Sequence, residues 1–129
     1  MHHIFYFDGN TEEISWTIQT NNSIVDENRK HVEIYKNKIT DIQSKYVALH
    51  VGLFWGIGVF IIKNEDDITI KFDEKEMYDH FMLNLKKEDE FIQKRMQFIN
   101  QLTKQRKLKI KYEKIEINEN RSRKSNHLN

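Results

Sequence analysis

The chain has 129 residues and a mass of 15.7 kDa, enough for one compact domain with a core of its own. Hydrophobic residues make up 38% and charged residues 32%, which excludes disorder over the full length and leaves a heavily solvated surface. The absence of Cys excludes a disulfide scaffold, a thiolate zinc site, a Cys nucleophile and an iron–sulfur cluster. The net charge of +1 hides an asymmetry: residues 1–85 carry 8 basic and 14 acidic side chains, residues 86–129 carry 13 and 6. A C-terminal third this basic is expected to track a phosphate backbone. The start, Met1-His2-His3-Ile4-Phe5, lacks the basic and long apolar regions of a secretory signal, so an intracellular protein is expected.

In chain order, Ile4-Phe5-Tyr6-Phe7 reads as a buried strand stopped by the turn signal Asp8-Gly9-Asn10. Glu13 to Thr20 alternates with period two and places Ile14, Trp16 and Ile18 on one face. After the loop Asn21-Asn22-Ser23, a third strand is expected at His31–Lys36, giving an antiparallel meander. Thr40 and Gln43 form a capping box that starts a helix at Asp41, running to Gly56 or Gly58. Tyr46, Leu49, Leu53 and Ile57 line one side of that helix; Val47, Val51 and Phe54 line the other, which predicts burial nearly all round.

Val47 to Ile62 has no formal charge, but 16 residues fall short of the ~20 that cross a bilayer, so no membrane association is expected. Gly52 and Gly56 then permit close approach of helix and sheet. Asp67–Phe72 is a fourth strand, paired in parallel with the first through the β–α–β connection and ending at Asp73. Helices are expected over Glu74–Leu85 and Glu88–Gln105, with a break at Lys86-Lys87. Leu108, Ile110 and Tyr112 alternate in a fifth strand, and Asn118–Asn129 is a polar tail or a short final helix beyond a domain of residues 1–117.

This βββαβααβ order, an α/β (α+β) layout on a five-stranded mixed sheet, resembles the ribonuclease H-like fold. Phe7-Asp8-Gly9 looks like the Asp-Gly that closes the first strand of that family. Lys45-Tyr46-Val47-Ala48-Leu49-His50-Val51-Gly52-Leu53 is similar to its central helix, usually read Glu-Tyr-x-Ala-Leu-x-x-Gly-Leu. Ile68-Thr69-Ile70-Lys71-Phe72-Asp73 is similar to its fourth strand and terminal Asp. The family hydrolyses phosphodiesters, typically the RNA strand of an RNA–DNA hybrid, with two Mg²⁺ ions held by four carboxylates. The resemblance makes Asp8 the bridging ligand and Asp73 a ligand to one metal.

Two positions depart from that pattern. Lys45 stands where the helix Glu belongs, and Asn126, in Ser125-Asn126-His127-Leu128, aligns with the C-terminal Asp. The segment from Gly58 to Asp73 is also longer than the family usually spends there. A Lys ammonium between Asp8 and Asp73 is expected to take the cation's place, leaving no metal cofactor. The expected function is a nucleic-acid-binding module, on RNA–DNA hybrid or another duplex, with lost or reduced hydrolysis. Lys86, Lys87, Lys104, Arg106, Lys107 and Lys109 are the expected backbone contacts. The alternatives are an active Mg²⁺- or Mn²⁺-dependent ribonuclease and a protein-interaction scaffold with a protein partner. Among the six His, His2 and His3 read as an exposed or strand-start pair, His50 as a satisfied core residue, and His127 as a neighbour of the site.

Overall fold

A computed structural model describes the backbone of residues 1–126 and the side chains of residues 1–123. Its centre is β1 (His2–Gly9), flanked by the antiparallel β2 (Glu13–Thr20) and the parallel β4 (Asp67–Phe72). β3 (Ser23–Lys30) and β5 (Lys109–Lys114) form the edges, giving the order β3-β2-β1-β4-β5. His3, Phe5 and Phe7 of β1 alternate inward and pack with Ile14, Trp16 and Ile18 of β2 and Ile68, Ile70 and Phe72 of β4. Burying this apolar face is what fixes the register, because a slip by one residue would turn it to water.

The third strand lies earlier than the sequence predicts, at Ser23–Lys30 and not at His31–Lys36. Asn21 adopts a positive φ of 54°, which Asn tolerates, and the Asn21-Asn22 turn is so tight that Thr20 already pairs with Ser23. As an edge strand, β3 is mostly solvated and carries no apolar alternation to betray it. Residues 31–36 form successive turns instead, with Tyr35 and Lys36 both donating backbone N–H to the Val32 carbonyl.

Across the inner face lies α1 (Asp41–Gly58), started by the Thr40–Gln43 capping box as the sequence predicts. Gly52 brings it close: a Cβ there would lie 2.6 Å from the Phe5 ring and 2.9 Å from Trp16. The helix is not enclosed all round, since Phe54 is 62% exposed. α3 (Glu90–Gln105) lies beside it and runs the same way: Gln43 donates to Asp89, the N-cap of α3, and Arg95 donates to His50 further along.

α2 (Lys75–Met82) is shorter than expected. Asn84, at a φ of 50°, turns the chain out, and Leu85 ends up exposed. α3 starts two residues later than expected, where Asp89 accepts from the N–H groups of Phe91 and Ile92. The C-terminal segment forms a 3-10 turn at Ile117–Glu119 and then α4 (Arg121–Asn126), tied to β2 by the Ser15 hydroxyl donating to the Ser122 carbonyl. No helix among the described residues is long and apolar enough to cross a membrane.

Candidate functional site

Because β1 and β4 run parallel, their last residues come together at one end of the sheet. Asp8 sits one residue before the end of β1, and Asp73 immediately follows Phe72 of β4. α1 begins over the same end and brings Lys45 down between them: its Nζ lies 3.4 Å from Asp73 Oδ1, 3.9 Å from Asp8 Oδ1 and 3.8 Å from the half-exposed Glu74. Gly9 permits this closeness, since a Cβ there would meet the Ser44 backbone at 2.8 Å. Beneath it, His31 donates from Nε2 to the Asn10 carbonyl at 3.1 Å, with Ser44 Oγ 2.7 Å from the same nitrogen.

α4 closes the other side. Arg123 approaches Asp8 Oδ2 at 3.5 Å, and the buried Asn120 donates both to the Phe7 carbonyl and to Asp73 Oδ2, each at 2.9 Å. The Asn120 side-chain Oδ1 also accepts from the N–H and hydroxyl of Ser122, which fixes where α4 starts. Burial raises the Asp8 carboxyl above the ordinary 3.8, outweighing the lowering by Lys45 and Arg123. Its Oδ1 is buried without a hydrogen-bond partner among the described residues.

No protein-family model matches this sequence, and no curated protein does. Solved structures do. RNase H1 from the halophilic archaeon Halobacterium salinarum superposes with a TM-score of 0.75 at 16% identity, covering 93% of this chain and 89% of its own. LC11-RNase H1, solved in complex with an RNA/DNA hybrid, gives 0.71 at 15% identity over 92% of this chain and 88% of its own. The N-terminal RNase H domain of a Mycobacterium tuberculosis protein gives 0.72 at 15% identity, over 92% and 85%. The chain has a ribonuclease H-like fold.

Within that fold, two Mg²⁺ ions require a cluster of hard oxygen ligands. This donor set does not fit them. Among the described residues no group of three or more His, Cys, Asp or Glu side chains is disposed to hold a metal ion. Three carboxylates face two fixed cations instead, so the negative charge that would hold divalent ions is mostly balanced by the protein itself.

The six expected contact residues of this RNase H-like domain do not share one surface. Lys86 and Lys87 precede α3 at the carboxylate end, where Lys87 pairs with Glu76 at 2.5 Å. Lys104, Arg106, Lys107 and Lys109 lie where α3 ends and β5 begins, at the opposite end of the sheet. Asn126 is the last residue of α4, its side chain outside the described set; His127 lies outside the described residues altogether. His3 is not exposed but fully buried, donating from Nε2 to Asp66 at 2.7 Å with its Nδ1 2.6 Å from the Thr20 hydroxyl. His50 is a satisfied residue, accepting from Arg95 at 2.9 Å and stacked on Phe98.

Sequence reasoning missed Arg123, Asn120 and Glu74. Arg123 and Asn120 sit in a polar stretch without hydrophobic period, where the only signal was Asn followed two residues later by Ser, an Asx-type helix start. Glu74 had no signal beyond its adjacency to Asp73.

Proposed function

We propose that this protein is a nucleic-acid-binding module, taking RNA–DNA hybrid or another duplex, in which cations of the chain itself replace the metal ions and hydrolysis is lost or reduced. The observation that carries the reading is the Lys45 ammonium 3.4 Å from Asp73 and 3.9 Å from Asp8. A fixed positive charge about 4 Å from an incoming Mg²⁺ repels it by roughly 8 kcal/mol at an effective dielectric of 20. Arg123, 3.5 Å from Asp8, adds to that. The same two cations offset the carboxylates that would repel a backbone phosphate, and the exposed Lys86 adds positive charge at that end of the fold. The hybrid bound by LC11-RNase H1 supports the choice of ligand.

The test is hybrid binding across a salt series, in EDTA and in Mg²⁺, alongside a cleavage assay in Mg²⁺ and Mn²⁺. Binding should fall steeply with salt, be indifferent to Mg²⁺, and weaken roughly ten-fold in Lys45→Ala. Mg²⁺ up to millimolar concentration should leave the side-chain carboxyl NMR shifts of Asp8 and Asp73 unmoved. Saturable Mg²⁺ shifts with hybrid cleavage would establish an active ribonuclease instead, and a flat salt response would leave a scaffold for protein partners. The double variant Lys45→Glu with Arg123→Gln should acquire the Mg²⁺ response that the native site lacks.

A further inference from the structure

The long connection between α1 and β4 carries a feature that the carboxylate end does not use. Phe60, two residues past α1, takes a left-handed φ of 65° while its ring is 78% exposed. Chains leaving a helix in that conformation usually place Gly there, because a side chain is disfavoured. Here the chain bears both a strained backbone and a solvated aromatic ring, with no aromatic partner for it among the described residues.

The surroundings of that ring are cationic. Phe60, Lys63 and Arg106 line one open depression of about 530 Å³, and Phe60 and Lys63 also line the next, about 770 Å³, beside the β2–β3 turn. The two chain segments are knitted together by Glu65 N–H donating to the Arg106 carbonyl and Lys109 N–H donating to the Asp66 carbonyl. Lys63 and Arg106 thus share a surface with Phe60, and with Lys104, Lys107 and Lys109 at the same end of the sheet they are exposed and in no ion pair among the described residues. Of the neighbouring acids, Asp66 is turned inward to His3 and the Lys63 N–H. Glu65 and Asp67 stay on the surface, so the balance remains positive.

An exposed aromatic ring flanked by unpaired cations is what a single-stranded nucleic acid recognises: bases stack on the ring while phosphates meet the Lys and Arg heads. We propose that this end of the molecule is a second nucleic-acid site, for single strands, with Phe60 as its stacking platform and Lys63, Arg106 and Lys107 as its phosphate contacts. It is separate from the carboxylate end and stands on this surface alone, so failure of hybrid binding there would not touch it.

Fluorescence anisotropy with dye-labelled dT6, too short to reach the carboxylate end, tests it. The wild-type chain should bind at 50 mM salt, and a saturating excess of blunt hybrid should not displace the strand. Phe60→Gly should weaken binding about ten-fold while raising the melting temperature, a combination that misfolding cannot produce. Lys63→Gln with Arg106→Gln should lower the slope of log affinity against log salt by about 1.4, roughly 0.7 for each lost phosphate contact. Absence of dT6 binding, a Phe60→Gly variant as tight as wild type, or full displacement by hybrid would each overturn the proposal.

Discussion

At Asp8, burial works against the charged form of the carboxyl. Burial outweighs both nearby cations and raises its carboxyl above 3.8, and one oxygen is left without a donor among the described residues. A neutral isostere removes that conflict, so Asp8→Asn should stabilise the fold by about 1 kcal/mol, raising the melting temperature. An earlier melt would show that the pairs with Lys45 and Arg123 outweigh the burial. Asp66 is the opposite case, because the hydrogen bonds from His3 and the Lys63 N–H hold its carboxyl below the ordinary value. Its contribution is complete above pH 3.8 and is lost as pH falls through the lower folded value. Asp66→Asn should therefore destabilise the protein at pH 7 by roughly 2 kcal/mol and much less at pH 2. Asp8 and Asp73 were legible because each closes an apolar strand, whereas Glu74 was not. The counter-charge from Arg123 was not, since nothing in a polar tail says which way it folds back.

The elements differ in how openly the chain declares them. α1, β1, β2 and β4 carry strong apolar patterns, and their positions follow from period in β2 and β4, from a run closed by a turn in β1, and from a capping box in α1. β3 is an edge strand whose pairing is set by a two-residue turn and not by its side chains, so its text is polar and the apolar pair Val32 and Ile34 further on is a decoy, exposed in a turn. Gly52 lies between these cases: a glycine in an apolar helix marks close approach, and the contact proves to be with Phe5 and Trp16. Gly52→Ala should lower stability by about 1–3 kcal/mol through overpacking, although Ala favours an isolated helix by about 1 kcal/mol. Chemical denaturation would measure the difference, and a stabilised variant would show that the two rings can retreat.

For the molecule as a whole, acid is the expected weakness. His31, His50 and His80 all titrate below 6.5, chiefly because burial disfavours the charged ring, with His50 brought down to about 4. The unfolded chain takes up these protons first as pH falls. Stability is therefore complete above pH 6.5 and declines from there toward pH 4, a dependence softened by the partial solvation of the rings. Thermal melts between pH 7 and 4 should show the fall, and His50→Asn should remove part of it. Composition revealed the excess of positive charge in the last third, but it could not say that the fold would split it between two ends. That division depends on α3 and β5 reversing direction around Lys107, itself at a positive φ of 54°. One rigid element, α1, separates the ends: Lys45 rides its second turn and Phe60 follows its last. The thirteen helical steps from Lys45 to Gly58, at 1.5 Å each, make it a ruler of roughly 20 Å, close to six base steps at 3.4 Å. Oligomers shorter than this can occupy only one end at a time, and avidity should set in abruptly once a strand is long enough to bridge both.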